Sequence, residues 1–287
     1  MKDTPQISRH SLRDRLAKRP DAHKYAYGHA LILAGGPGEG GAARLSARGA
    51  LRIGAGLVTV ACPMSALSEN SARLDTIMLR PLHDGAALGR LLEDVRYNAL
   101  CLGPGMGYDR ARALVPEALR SGRRVVIDAD ALTAYGDAPE ALFDMLHPGA
   151  ILTPHGGEFR RLFPDLAARL ATPSYPEAKV EAARAAAARA GAVVLFKGPE
   201  TVIAAPGGEV AVNAATGDTA APWLATAGSG DVLAGFVCGL MARGFDPFEA
   251  GRTAAWLHVE CARAFGPGLI AEDLPEALPG VFRALGL

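Results

Sequence analysis

The chain has 287 residues, 49% hydrophobic and 21% charged, which is enough apolar material for a sizeable buried core and excludes a disordered or fibrous chain. Thirty Lys and Arg balance thirty Asp and Glu, for a formal net charge of zero. With no block of like charge, neither nucleic acid nor a membrane surface is an expected partner, and small molecules or other subunits are.

The opening MKDTPQISRHSLRDRLAKRP is polar and lacks the apolar stretch of a signal peptide, so it reads as an N-terminal extension over about residues 1–22. No later apolar run approaches the roughly 20 residues of a membrane span. A cytoplasmic enzyme is the expectation. HALILAGG, from His29, then predicts a strand, GPGEGG a glycine turn, and AARLSARGALRIGAG a helix. Further short strands are predicted at LVTVA from Leu57, around Ile77, at ALCLG from Ala99, RVVID from Arg124 and AILT from Ala150, with helical stretches after most of them. Strand and helix in alternation, with glycine at the strand ends, predict an α/β fold: a mostly parallel sheet with helices on both faces. Ligands of such a sheet bind beyond the carboxyl ends of its strands.

The second half changes pattern. The alanine-rich PEAKVEAARAAAARAGA, from Pro176, predicts a helix, and VVLFKG, TVIAAPGG and EVAVN predict three consecutive strands in a local meander. Three helices close the chain, VLAGFVCGLMARG, PFEAGRTAAWLHVECARAF and LPEALPGVFRALG, the last expected to be interrupted at Pro279. No repeat or low-complexity linker divides residues 1–287, so a single continuous domain is expected. Cys62, Cys101, Cys238 and Cys261 form no CxxC pair and read as buried reduced thiols.

Several glycine-rich stretches stand at strand ends. GPGEGG, Gly36 to Gly41, fits GxGxxG, yet a dinucleotide fold wants an acid at the end of the second strand, which here reads Ala61-Cys62-Pro63 with the first acid beyond it at Glu69. In LGPGMG, Gly105 and Gly107 let a ligand approach bare backbone or simply shape a loop. VVIDADAL sets Asp128 and Asp130 two apart; if the strand continues they share a face and hold magnesium through water, or Asp130 caps the next helix, and the structural role is favoured. In LTPHGGE, His155 is expected to contact a polar ligand, the alternative being a bond to its own loop. KGPET, Lys197 to Thr201, sets a cation and a hydroxyl in a turn suited to nucleotide phosphates, although turn lysines are usually solvated. His258 matches no metal-ligand spacing and is expected to be partly buried and satisfied.

ATAGSGD, Ala225 to Asp231, is the most informative stretch. Ala227, Gly228, Ser229 and Gly230 lead into a helix whose first unpaired N–H groups suit an anion. It is not a Walker loop, because Asp231 stands where GxxxxGK[ST] requires lysine. A carboxylate there repels a phosphate unless it acts on the hydroxyl that attacks that phosphate, so Asp231 reads as the base of a phosphoryl transfer and the amides of residues 228–230 as its anion hole. The alternative is a simple helix cap.

Taken in order, HKYAYGHALILAGG, GGAARLSARGALRIGAGLVTVA, LGPGMG, VVIDADAL, ILTPHGGEF, KGPETVI, NAATGDTAAPWLATAGSGDVLAG and GLIAEDLPEALP resemble the nucleotide-dependent NAD(P)H-hydrate dehydratases, which have a ribokinase-like fold, over nearly the whole chain. The resemblance implies dehydration of NADH or NADPH hydrate, NAD(P)HX, at the expense of ADP or ATP, with Mg2+ as counter-charge and ADP the favoured donor. By position it implies Asp231 as the base, Gly230 as a nucleotide contact, Lys197, Gly198, Pro199, Glu200 and Thr201 as the nucleotide-holding stretch, and Ala42, Gly105 and His155 around the hydrated nicotinamide. Asn213 and the 216–225 segment would wall the anion hole. Metal ligands are not implied residue by residue. The chain departs from the family at His155-Gly156-Gly157-Glu158, where HPGE is common, and at SENSARLDTIM, which replaces a proline-glutamate motif. A homo-oligomer is expected, with any companion epimerase on a separate chain. The competing readings are a small-molecule kinase of the same fold, acting on a sugar or vitamin alcohol, and a catalytically silent nucleotide-binding regulator.

Overall fold

A computed structural model describes residues 9–171 and 175–287. Among the described residues, nine strands form one sheet in the order β3-β2-β1-β4-β5-β6-β7-β8-β9, with β1 His29–Leu33, β2 Leu57–Cys62, β3 Met78–Pro81, β4 Tyr97–Leu102, β5 Arg124–Ile127, β6 Ala150–Leu152, β7 Val193–Phe196, β8 Glu200–Ala204 and β9 Val210–Ala214. Every predicted strand is present. The pairs from β3 across to β7 are parallel, and β7-β8-β9 is the antiparallel meander.

Because strand side chains alternate, the sheet feeds two cores. Ala30 and Ile32 join one, Leu31 and Leu33 the other. The first is covered by helices α1 (Arg9–Leu16), α2 (Gly40–Arg52), α3 (Leu67–Ser71), and three more described below. The second is covered by α4 (Gly85–Leu91), α5 (Tyr108–Arg120), α6 (Ala129–Thr133), α7 (Pro139–Phe143), α8 (Gly156–Leu162), α9 (Pro164–Ala168) and α10 (Tyr175–Ala190). The remaining three, α11 (Ser229–Ala242), α12 (Pro247–Phe265) and α13 (Asp273–Ala284), complete the first layer. The polar N-terminal stretch is not wholly apart from the fold, since Leu12 and Leu16 of α1 are buried in that layer.

Helix α11 is apolar on nearly all sides because it lies between the sheet and α2. The approach to α2 requires glycine: a Cβ on Gly235 would stand 2.1 Å from the Ser46 carbonyl oxygen. This contact aligns the first turn of α11 with α2, and the Ser46 hydroxyl donates to the Asp231 carbonyl at 2.8 Å.

The expected break at Pro279 does not occur, for α13 runs through it. Proline removes one helical hydrogen bond, but Leu274 and Leu278 on the same helix are fully buried and Val281 nearly so, against α2 and α12. Tertiary packing outweighs the lost bond. All four cysteines are free and buried, as expected. No helix among the described residues is long and apolar enough to cross a membrane.

Candidate active site

The ends of β5, β6 and β7 deliver three segments to one place, and the start of α11 faces them. Beyond β5, Asp128 leaves the strand with its side chain almost wholly buried. The strand geometry does not persist, because Ala129 adopts a φ of 45° and α6 begins at once. Asp128 and Asp130 therefore do not act as a pair on one face. Asp128 Oδ1 meets Lys197 Nζ at 2.8 Å, whereas Asp130 Oδ2 accepts from the Gly107 N–H at 2.9 Å and so anchors the LGPGMG turn. Nor does Asp130 cap α6: Asp128 occupies the cap position, without a side-chain cap bond.

Beyond β7, Lys197 is the turn lysine that sequence statistics would leave in water, yet only 17% of its side chain is exposed. Its backbone N–H is held by the Pro154 carbonyl, and Glu158 Oε2 lies 4.0 Å from Nζ. Burial alone would lower the Lys197 ammonium, but the charges of Asp128, Glu158 and Asp231 outweigh it and hold it above the ordinary lysine value. Glu158 is pushed up to about 7 by burial, which Lys197 opposes.

His155 spends its Nδ1 on its own loop. It accepts from the N–H groups of Gly157 and Glu158 while Glu158 Oε2 accepts from the His155 N–H, a reciprocal cap of α8. The Gly156-Gly157 departure thus leaves a well-fixed turn, in which the imidazole is more than half exposed.

Gly228, at a φ of 86°, turns the chain into α11. Asp231 in the first turn has no hydrogen-bond partner for its carboxylate among the described residues. Burial pushes its pKa up to about 6, with the Asp128 charge adding to the rise, Lys197 opposing it, and Asp130 adding further. A carboxylate half ionised near pH 6, free of partners and facing a cation, is a competent base at neutral pH. Lys197 closes the other side of the turn, its Nζ 3.4 Å from the place of a Cβ on Gly230.

A cavity of about 450 Å³ opens from this turn, lined by Lys197, Gly198, Pro199 and Thr201 on one wall and by Ser229 and Gly230 on another. The rest of its lining is mostly apolar, with Ala220, Ala221, Pro222, Leu224 and Ala225 of the expected wall segment together with Leu233 and Val259. Asn213 is not part of it and donates to the Ala255 carbonyl. The Thr201 hydroxyl donates to the Gly198 carbonyl and braces the turn. His258 is buried, as expected, and lines the cavity with its Nε2 against the Ser229 carbonyl at 2.9 Å.

Ala42 and Gly105 are brought together on the Asp231 side. Gly105 has a φ of 58°, and a Cβ there would lie 2.5 Å from the Glu39 carbonyl oxygen and 3.3 Å from Ala42 Cβ. The glycine loop before Ala42 is held by Glu69, which accepts from the Gly38 N–H and pairs with Arg44. SENSARLDTIM therefore still supplies a carboxylate to this loop. Among the described residues no three His, Cys, Asp or Glu form a metal-holding group, and Asp128 and Glu158 already face Lys197. The described residues therefore form no cage for the expected magnesium.

A family model described as NAD(P)H-hydrate dehydratase matches residues 30–277. The chain belongs to the NAD(P)H-hydrate dehydratase family. Among its relatives, a bifunctional NAD(P)H-hydrate repair enzyme of Moorella thermoacetica is 39% identical over 95% of this chain and 53% of its own. A Bacillus subtilis ADP/ATP-dependent NAD(P)H-hydrate dehydratase, co-crystallised with ATP/Mg2+, superposes with a TM-score of 0.81 at 29% identity, covering 99% of this chain and 100% of that one. An Enterococcus faecalis ribokinase-like protein shares the fold, with a TM-score of 0.79 at 23% identity over 97% of this chain and 95% of its own. The dehydratase-family chain thus has the expected ribokinase-like fold. It spans about half the length of the curated relatives it matches. Those relatives are bifunctional single chains, so they do not follow the expected arrangement in which a companion activity sits on a separate chain.

Proposed function

We propose that this chain dehydrates the hydrates of NADH and NADPH, consuming ADP or ATP as phosphoryl donor. The observation that carries the reading is the partnerless Asp231 carboxylate, set in the first turn of α11 beside Gly228, Ser229 and Gly230 and opposite Lys197.

Hydroxide is a poor leaving group, whereas phosphate is a far weaker base. In this reading the substrate ring lies on the Ala42 and Gly105 side and the nucleotide fills the cavity, with its base against the apolar lining. Asp231 takes the proton of the ring hydroxyl as that oxygen attacks the terminal phosphorus. The bond from phosphorus to the nucleotide breaks, and the amides of residues 228–230 with Lys197 receive the charge developing on the transferred group. The ring nitrogen's electron pair then expels phosphate, and loss of a proton from the neighbouring carbon restores the double bond. Magnesium would arrive on the nucleotide's phosphates and water rather than in a protein cage, and no step above depends on it.

His155 has Nδ1 on its loop and Nε2 3.4 Å from Glu158 Oε1, so it meets the substrate with the exposed face of a ring that its own loop holds in place. A kinase acting on another alcohol would use the same base, so product analysis decides. Incubation of hydrated NADH with ADP or ATP should restore the near-ultraviolet absorbance of NADH with one inorganic phosphate per turnover. A stable phosphoester in place of free phosphate would favour the kinase.

A further inference from the structure

One buried cation has no part in the mechanism above. Lys179, in the second turn of the alanine-rich helix α10, is 1% exposed. Its Nζ donates to the Lys197 carbonyl at 3.2 Å and the Glu200 carbonyl at 2.5 Å, and it lies 4.4 Å from the centroid of the Phe196 ring. No carboxylate forms an ion pair with it among the described residues. Burial lowers its ammonium to about 8, against a rise from the Glu200 charge.

A buried ammonium held only by two carbonyls and a ring is a costly way to fill space; an apolar side chain of the same length would pack there without desolvating a charge. What Lys179 does is grip both ends of the turn that carries Lys197. A trans peptide points its C=O and N–H in opposite directions, and the chain has no cis bond among its described residues. With the Lys197 carbonyl turned back to Lys179, the Gly198 N–H points the other way. Gly198 lines the cavity and Lys179 does not. That N–H has no hydrogen-bond partner among the described residues. Lys179 packs closely on this turn, since a Cβ on Gly198 would stand 2.7 Å from its Nζ and displace it.

We propose that Lys179 is a positioning residue for the phosphoryl donor: by holding the Lys197 and Glu200 carbonyls from behind, it aims the Gly198 amide at an oxygen of the bound nucleoside di- or triphosphate and fixes the backbone from which Lys197 reaches the anion hole. The inference rests on the proposed nucleotide-dependent function, and direct binding separates the two.

The test is calorimetric titration of ADP and ATP into the wild type, Lys179→Met and Lys179→Arg, with near-ultraviolet circular dichroism to confirm folding. The loss of one amide bond to a charged group predicts a dissociation constant raised about 10-fold or more in Lys179→Met. Lys179→Arg, whose guanidinium also presents donors to two carbonyls, should recover most of that loss. A purely structural role would lower thermal stability in both variants without this split. In parallel, the Gly198 amide resonance of the labelled wild type should shift downfield on addition of ADP, a reading that needs no variant to fold. Folded Lys179→Met with wild-type affinity, or a wild type that binds nucleotide while its Gly198 resonance stays in place, overturns the positioning role alone. A wild type that binds neither nucleotide overturns the functional reading and the positioning role together.

Discussion

Lys197 and Asp128, at the ends of β7 and β5, meet at 2.8 Å with the aspartate wholly buried and the lysine nearly so. Sixty-nine residues separate them in the chain, and their contact places the Lys197 cation beside the start of α11. Removing one partner of a buried pair leaves an uncompensated charge. Asp128→Asn should lower stability by about 2 kcal/mol, less than the 3–5 of an isolated buried pair, because Glu158 and Asp231 still face Lys197. Denaturant unfolding checks it. Unchanged stability would mean that the pair contributes nothing to the fold.

Asp231→Asn removes the proposed base and keeps the shape of the turn. Turnover should fall by about 10²–10⁴ while nucleotide affinity persists. Near-normal turnover in this variant would remove Asp231 from the chemistry.

The same aspartate should set the acid limb of the pH profile. Its pKa of about 6 in the folded protein means that the ionised base is lost as pH falls through 6, so kcat/KM should drop about tenfold per pH unit below that value. Stability follows the opposite course. A carboxyl whose pKa is raised on folding favours the fold when protonated, and that advantage disappears as pH rises through the folded value. Asp231→Asn should therefore be more stable than wild type above pH 6, by on the order of 1–3 kcal/mol, with the difference vanishing below about pH 4. Melting curves across that range read it directly.

Gly230→Ala separates folding from anion binding. A methyl at this position meets only Lys197 Nζ, at an ordinary contact distance of 3.4 Å, so the fold should tolerate it. The methyl occupies the approach of a phosphate to the first-turn amides. We expect weaker nucleotide binding and slower turnover at unchanged melting temperature; equal affinity would argue that no phosphate sits there.

Gly105→Ala acts on the other side. Its Cβ would collide with the Glu39 carbonyl and press on Ala42 at a backbone conformation that disfavours alanine. The KM for the hydrated nicotinamide should rise while nucleotide affinity is retained. A rise confined to the nucleotide would place the two ligands the other way round.

The sheet was legible because each strand is a short apolar run bounded by glycine or a polar turn, from His29–Leu33 to the meander of β7, β8 and β9. Pro279 was misread because local propensity carries no knowledge of what Leu274 and Leu278 pack against. The ATAGSGD stretch was informative on its own, since a helix start, three small residues and an acid are all local in sequence. The partners of Lys197 were not: Asp128 and Glu158 come from other strand ends, and only the order of the sheet makes them neighbours. Lys179 was hidden for the same reason, as one more polar residue in an alanine-rich helix.

The most direct measurement is a crystal structure of the protein with hydrated NADH and a non-transferable ADP or ATP analogue bound together. The account predicts an Asp231 carboxylate oxygen within hydrogen-bond distance of the ring hydroxyl, and the nucleotide's terminal phosphate on the amides of residues 228–230. An Asp231 side chain turned away from that hydroxyl, with the phosphate held elsewhere, would contradict it.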